Sequence, residues 1–310
     1  MAYTLAQINE AVRSDPRGFA EEADAAFQRK VDAAARQIAE NRSRSHIVLL
    51  SGPSGSGKTT TAMKIEESLD RAGVTTHTVS MDNYFLTVDP ETAPRTRDGA
   101  IDYESPFCLD IELLNRHFAM LDRGETIHVP KFEFARQMRS AVNSRPLRLG
   151  DDELAIFEGI HALNDVFTGK NPRAMKVYIA AASDFTDDSG AVFERGWVRL
   201  CRRIVRDAKF RGSDAAFTLK LWPGVCRGEK LYIAPYRDGA DVLFDTTLPY
   251  ELCAMKSHIV PLLEGIPAGE RTEPVEQILH AFGLLADLDD SYVAPDSLVR
   301  EFIGGSTYSY

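Results

Sequence analysis

From position 47 onwards, short strand-like runs of residues alternate with longer amphipathic stretches. The strands predicted from this pattern span residues 47–51, 75–80, 154–158, 176–181 and 242–245. The predicted helices lie between them, near 59–71, 109–123 and 192–211. Because such alternation is typical of crossover connections between parallel strands, it predicts an α/β fold with a parallel sheet covered by helices on both faces. Two further short strands, at 126–131 and 145–149, predict a small β-ribbon.

The segments on either side of this pattern are predicted to be helical. A helix start is expected at Ser14-Asp15-Pro16, where a capping residue precedes proline. Apolar residues then recur at spacings of three and four and form one stripe; they are Phe19, Ala23, Phe27, Val31, Ala34 and Ile38. The tail contains a predicted helix at 275–285. We therefore divide the chain into an N-terminal helical extension (1–45), a central domain (46–252) and a C-terminal helical extension (253–310) packed on that domain.

The run at positions 52–60 reads G-P-S-G-S-G-K-T-T and matches the P-loop template G-x-x-x-x-G-K-[S/T]. It lies between a predicted strand and a predicted helix, which is the context that this motif requires. The backbone N–H groups of such a loop surround phosphates, and the helix N-terminus adds the positive end of its dipole. Lys58 would reach the β- and γ-phosphates, and the Thr59 hydroxyl would hold Mg²⁺. The predicted nucleotide-binding residues are Gly52, Pro53, Ser54, Gly55, Ser56, Gly57, Lys58, Thr59 and Thr60.

Composition narrows the class of protein. The chain has 310 residues, 36 Lys and Arg against 46 Asp and Glu, and a net charge of −10. An acidic chain is a poor candidate for binding nucleic acid or an anionic membrane. The four cysteines are scattered without a C-x-x-C pair, which argues against zinc or a disulfide framework. No apolar run approaches a membrane span, and the N-terminus lacks a secretory signal pattern. These features predict a cytoplasmic protein that binds neither nucleic acid nor membrane.

Two carboxylates follow predicted strands, at the sheet edge where α/β proteins bind ligands. Asp82 comes directly after the second strand, and Glu158 ends the third. Phosphoryl transfer to a hydroxyl needs a carboxylate that accepts the proton and oxygen ligands for Mg²⁺. Asp82 and Glu158 could supply both. A turn or cap role for Asp82, and an ion pair for Glu158, are the structural alternatives.

A basic block at 192–211 stands out in this acidic chain. Arginines three and four positions apart share one helix face, and guanidinium groups suit contact with phosphates. A lid over 192–230 that closes on ATP would use them to stabilise charge in the transition state; a solvated basic face is the alternative. Trp222 could stack on a base or pack within the lid. The basic residues are Arg195, Arg199, Arg202, Arg203, Arg206, Lys209 and Arg211.

Taken together and in order, these motifs resemble the uridine kinase and phosphoribulokinase-like P-loop kinases from about residue 46 to 252. Besides the P-loop, the matching segments are S-M-D-N-Y-F at 80–85, D-Y-E-S-P-F-C-L-D at 102–110, V-P-K-F-E-F at 129–134 with Arg139, F-E-G-I at 157–160, and R-L-C-R-R-I-V-R-D at 199–207. The resemblance implies a doubly wound P-loop sheet with flanking helices, a β-ribbon over the acceptor site and a helical lid. It also implies ATP and Mg²⁺ as cofactors, a small-molecule acceptor such as a nucleoside, and leaves a homo-oligomer open.

The family's residue roles carry over where positions match. Asp82 would be the general base and would join Thr59 and Glu158 around Mg²⁺. Glu104 would stand where the family's ribose-binding aspartate stands. Lys58, Arg202 and Arg203 would be catalytic. The other residues implied on the acceptor side are Tyr84, Phe85, Tyr103, Phe132, Gln137, Arg139 and Arg199.

The chain departs from the uridine kinase pattern at Ser105, Phe132 and Gln137, which replace a histidine, a tyrosine and a histidine. A site that hydrogen-bonds one base discriminates strongly, so these changes bear on the acceptor. Uridine or cytidine is the first candidate acceptor, and a sugar phosphate or pantothenate comes next. A nucleotide-dependent switch is the second class, because Asp187 to Gly190 matches D-x-x-G, although N-K-x-D is absent. A kinase fold without activity is the third.

Overall fold

The computed structural model describes residues 2–142, 144–193 and 195–309. In chain order its strands are β1 (Ala2–Thr4), β2 (Ile47–Ser51), β3 (Thr76–Ser80), β4 (Ile127–Val129), β5 (Phe132–Glu133), β6 (Met138–Arg139), β7 (Arg145–Leu147), β8 (Leu154–Glu158), β9 (Met175–Ala180), β10 (Asp184–Asp187), β11 (Gly190–Phe193) and β12 (Val242–Asp245). Its α-helices are α1 (Leu5–Ser14), α2 (Pro16–Asn41), α3 (Lys58–Arg71), α4 (Ile111–Asp122), α5 (Asp165–Thr168), α6 (Arg195–Phe210), α7 (Ala215–Tyr232), α8 (Glu251–Glu264), α9 (Glu273–Gly283) and α10 (Arg300–Ile303).

The centre of the molecule is a parallel five-stranded sheet in the order β12-β9-β2-β8-β3. Every residue of β2 and β8 is buried, as expected for strands covered on both faces. Alternate side chains of β2 enter different apolar cores, with Ile47 and Leu49 on one face and Val48 and Leu50 on the other. The predicted α/β fold is confirmed, and the ends of the five strands of this central sheet differ from prediction by at most one residue.

The N-terminal region is not entirely helical, contrary to prediction. Residues 2–4 form β1, which pairs in parallel with β10 in a separate three-stranded sheet. The predicted helix start is present, because the Asp15 carboxylate accepts a 2.9 Å hydrogen bond from the Gly18 N–H. The apolar stripe of α2 turns inward, and Phe27 and Val31 are buried against the sheet side that also holds α3.

The lid region contains more structure than its pattern predicts. The helix predicted from residue 192 starts later, because β11 extends to Phe193 and α6 runs from Arg195 to Phe210. Position 194 lies outside the described residues. Asp187 and Gly190 flank the turn of the β10–β11 hairpin, where the Asp187 carboxylate accepts bonds from Ser189. α7 was not predicted, since Pro223 interrupts its pattern.

The predicted ribbon forms from β4 and β7, which pair antiparallel, and β5 with β6 makes a second short ribbon beside it. At the other end of the chain, α8 and α9 pack together, and α10 packs on α6. In the part of the chain that the structure describes, no helix has the length and apolarity needed to cross a membrane.

Candidate active site

The P-loop adopts a conformation that only glycine tolerates at several positions. Gly55 and Gly57 have φ angles of 77° and 79°. A Cβ on Gly52 would lie 2.0 Å from the Ile179 carbonyl oxygen, so the loop presses directly on β9. These contacts hold the loop at the carboxyl end of the sheet, where its N–H groups and the start of α3 face one cavity.

That cavity measures about 230 Å³ and collects most of the residues that the sequence singled out. Asp82 reaches it from a 3-10 turn after β3, and Glu158 reaches it from the end of β8. The two strands are neighbours, with Ser80 paired to Glu158. The predicted residues that line the cavity are Ser54, Gly55, Gly57, Lys58, Thr59, Asp82, Phe85, Tyr103, Glu104, Glu158 and Arg203.

Burial controls the ionisation of the charged groups in this cavity. It lowers the pKa of Lys58, although Glu158 and Asp82 act in the opposite direction. It raises the pKa of Glu158 to about 7 and also raises that of Asp82, and Lys58 opposes both shifts. A carboxylate whose pKa is raised is a stronger base, which suits proton abstraction near neutral pH.

The oxygen ligands here fit Mg²⁺ better than a transition metal. Among the described residues, no group of three or more His, Cys, Asp or Glu side chains is placed to hold a metal ion. Mg²⁺ needs only one or two carboxylates, because water and substrate phosphates complete its shell. Thr59, Asp82 and Glu158 supply a hydroxyl and two carboxylates of that kind.

The arginines of α6 divide between the cavity and the interior. Arg203 donates to the Ser54 hydroxyl at 2.9 Å and lines the cavity. Arg206 lines it as well, and so does Arg211, which directly follows α6, although neither was among the predicted site residues. Their membership of the basic block was the only sequence signal for this position.

Arg202 lies behind the P-loop, out of reach of a substrate in the cavity. Its side chain is fully buried, and its guanidinium forms two hydrogen bonds with the Glu251 carboxylate at 2.6 and 2.9 Å. It also donates to the Gly55 carbonyl at 3.2 Å and to Thr246. The prediction that Arg202 contacts phosphate is therefore wrong for this geometry, and Arg202 acts as a positioning residue for the loop.

Arg199 is also turned inward rather than toward an acceptor. It pairs with Glu229 of α7 at 2.5 Å and lies 5.5 Å from the centre of the Trp222 ring. Its guanidinium contacts the P-loop at the Ser54 carbonyl, 3.5 Å away, and its backbone carbonyl packs against Gly55. Arg199 does not line the cavity, so its substrate contact stays a prediction. Trp222 packs within the lid.

Several residues implied on the acceptor side instead support the loops around it. Tyr84 is buried, and its hydroxyl lies 2.9 Å from Nδ1 of His117. Arg139 pairs with Asp110 at 2.9 Å and donates to the Tyr84 carbonyl at 3.0 Å. Phe132 packs on Phe85 with ring centres 5.7 Å apart. None of Tyr84, Arg139 and Phe132 lines the cavity, and their substrate contacts stay predictions.

Gln137 is exposed and occupies the turn of the second ribbon, with φ at 52°. Its side-chain amide donates to the Phe134 carbonyl at 2.8 Å. This local bond explains why a non-glycine residue adopts a left-handed conformation here. Gln137 does not line the cavity, and its substrate contact stays a prediction.

Glu104 enters the cavity from a loop that is fastened to α7. Asp102 is buried and forms two hydrogen bonds with Arg227 at 2.6 and 3.1 Å. Tyr232 donates to the same carboxylate at 2.8 Å. A Cβ on Gly228 would lie 2.4 Å from Cβ of Glu104, so this loop and α7 are in direct contact. The sequence pattern contained no signal for this contact.

We expect Gly228→Ala to displace Glu104 and to lower kcat/KM for the acceptor by up to about 100-fold, the cost that a displacement of about 1 Å can have. The KM for ATP should change little, because Gly228 does not line the phosphate side of the cavity. Steady-state kinetics with each substrate varied in turn measures both values. Gly224→Ala, on the same helix with open space at its Cβ, is the matched control. Equal effects of the two variants would contradict this reading of the contact.

Glu301 is a cavity residue from the C-terminal tail that sequence reasoning did not identify. Its carboxylate accepts hydrogen bonds from the Thr60 hydroxyl at 2.5 Å and from the Thr60 N–H at 3.3 Å. The two residues are 241 positions apart, so no local pattern could pair them. Thr60 is thus bound to a carboxylate of the same chain, at the position predicted to bind nucleotide.

The parallel sheet, its P-loop and the carboxylates at the strand ends together define a P-loop kinase. The model of the Phosphoribulokinase / Uridine kinase family matches residues 47–252, and the chain belongs to this family. The resemblance drawn from the motifs is confirmed over almost the same residues.

Curated relatives of the chain carry the name uridine kinase. One from Macrococcus caseolyticus is 27% identical over 202 residues, which cover 65% of this chain and 88% of the relative. Another, from Clostridium novyi, is 29% identical over 200 residues, covering 64% and 85% respectively. Among solved structures, a protein of Silicibacter sp. TM1040, provisionally assigned as a fructose transport system kinase, has a TM-score of 0.50 at 19% identity. It covers 69% of this chain and 98% of its own, and supports the fold alone.

Proposed function

We propose that this kinase transfers a phosphoryl group from ATP to a hydroxyl of a small metabolite, with the 5′-hydroxyl of uridine or cytidine as the first candidate. The observation that carries the proposal is the convergence of Lys58, Asp82 and Glu158 in one cavity beside the P-loop. These are the types of group that phosphoryl transfer requires. The curated relatives named uridine kinase support the choice of acceptor.

Six cavity residues have roles in this mechanism. Asp82 accepts the proton of the acceptor hydroxyl. Lys58, Arg203 and Arg206 hold positive charge where negative charge develops on the transferring group. Thr59 and Glu158, together with Asp82, would hold Mg²⁺. When bound, the metal ion neutralises phosphate charge and orients the phosphates for in-line attack.

The acceptor side supports the kinase reaction more strongly than it supports uridine. Glu104 enters the cavity and could bind a sugar hydroxyl, and Tyr103 is exposed beside it. Ser105 is buried, caps a short turn by accepting from the Phe107 N–H at 3.3 Å, and does not line the cavity. Arg206 and Arg211 in the cavity favour the second candidate, an anionic acceptor such as a sugar phosphate.

A screen of ATP consumption with Mg²⁺ tests the proposal against nucleosides, pentose phosphates and pantothenate. Turnover with uridine or cytidine would support the first candidate. Turnover with a different hydroxyl compound alone would keep the phosphoryl-transfer mechanism and replace the nucleoside. Tight ATP binding with no turnover on any acceptor would contradict the proposed kinase activity and favour a nucleotide-dependent switch.

A further inference from the structure

The C-terminal tail places a carboxylate inside the phosphate-binding end of the cavity. Glu301 on α10 is only 8% exposed and lines the cavity together with Gly57, Lys58 and Thr59. Its Oε2 atom accepts from both donors of Thr60, at 2.5 Å from the hydroxyl and 3.3 Å from the backbone N–H. An anion of the chain itself therefore occupies the first turn of α3.

A bound phosphate and the Glu301 carboxylate need the same features of the protein. Both are stabilised by N–H groups and by the positive end of the dipole at a helix N-terminus. Two anions in one buried site repel each other. They also compete for the same donors, so a hydrogen bond that one anion accepts is unavailable to the other. The Glu301 carboxylate therefore binds the start of α3 in the way that an anionic ligand would.

Other contacts hold the same segment in place. Leu298 packs directly on Gly57, where an added Cβ would lie 2.6 Å from Cδ1 of the leucine. The Phe302 ring lies 5.2 Å from the Arg202 guanidinium, and Lys209 donates to the Ile303 carbonyl. These three contacts join the tail to the P-loop and to α6, so a movement of the tail would break contacts with both elements.

We propose that residues 297–303 compete with the nucleotide for the P-loop, and that Glu301 thereby sets the affinity for the phosphates. The inference rests on the proposed function, because it requires Thr60 to lie where a phosphate binds. It concerns this chain in particular, since the residues matched by the family model end at position 252. Nucleotide binding displaces the carboxylate from Thr60 and loosens the segment that carries it.

Binding of ATP and of ADP to Glu301→Gln and Glu301→Ala tests the proposal by calorimetry, with Mg²⁺ and without an acceptor. Glutamine keeps the size of the side chain but removes its charge, and alanine removes the contact. Both variants should bind about tenfold tighter than the wild type, the gain expected when one charge-assisted hydrogen bond no longer competes. Glu270→Gln removes the same charge from an exposed position of the C-terminal region and should bind as the wild type does.

Hydrogen exchange of the unmodified protein provides a second measurement that needs no substitution. Adding ADP should speed exchange of the Glu301 and Phe302 amides, which bond to the Leu298 and Val299 carbonyls at 3.1 and 3.0 Å. Slower or unchanged exchange there, or Glu301 variants that bind nucleotide no tighter, would overturn the competition.

Lys58→Ala separates this inference from the proposed function. If Lys58→Ala binds ATP as well as the wild type does, the P-loop is not the nucleotide site and the proposed function fails. If that variant loses binding while the Glu301 variants gain none, the proposed function stands and only the competition is rejected.

Discussion

Asp82→Asn is expected to lower kcat by about 10²- to 10⁴-fold, the usual contribution of a positioned general base. Asparagine keeps the size of the side chain but cannot accept the proton of the acceptor hydroxyl. Lys58 and the P-loop amides remain, so the affinity for ATP should stay close to that of the wild type. Steady-state turnover and calorimetric ATP binding, measured on the same preparation, give the two values.

Asp238→Asn serves as the control for the Asp82 variant, because Asp238 is an exposed aspartate outside the cavity. It should leave both turnover and ATP binding unchanged. Full turnover by Asp82→Asn would reject Asp82 as the base. Loss of ATP binding together with turnover would show that Asp82 acts mainly through its proposed Mg²⁺ role and would leave the loss of turnover unassigned to proton transfer.

Arg202→Met is expected to lower the free energy of unfolding by about 3–5 kcal/mol, because it leaves the buried Glu251 carboxylate without its partner. The P-loop also loses the hydrogen bond to the Gly55 carbonyl, so ATP binding should weaken as well. Urea unfolding followed by circular dichroism measures the change in stability.

Two neighbouring arginines of α6 give the comparison for Arg202. Arg195 is exposed, and its ion pair with Asp184 spans 3.6 Å, so Arg195→Met should cost at most about 1 kcal/mol. Arg203→Met should lose less stability than Arg202→Met but more turnover, since Arg203 lines the cavity. If Arg202→Met is as stable as the wild type and loses only turnover, the positioning role of Arg202 is wrong. That result would favour the original prediction that Arg202 contacts phosphate.

The α6 arginines show why the site was only partly predictable. Spacings of three and four placed them on one helix with a shared charge, and that much depends only on helical geometry. Which of them faces the cavity depends on what packs around the helix. Glu251 of α8 draws Arg202 into the interior, and Glu229 of α7 does the same for Arg199. Neither partner is close in sequence to the arginine that it binds.

The loops around the acceptor side were also predictable only in part. The family motif placed Glu104 and Phe85 near the acceptor, and both line the cavity. The motif also named Tyr84 and Arg139, yet their side chains turn to His117 and Asp110. A motif records which residue types recur at which positions, whereas burial decides the direction in which each side chain points. The residue roles assigned in the cavity stay predictions until the variants are measured.

The sequence by itself determined the alternation of strands and helices, the P-loop and the position of Asp82 after β3, because each of these follows from residues close together in the chain. It also determined the kinase family, which follows from the order of several such local motifs. The tertiary structure alone decided that Arg202 supports the P-loop, that α7 holds the loop of Glu104 and that Glu301 binds Thr60. These contacts join residues between 125 and 241 positions apart. They exist because folding removes charged groups from water and requires each buried one to find a partner, wherever in the chain that partner lies.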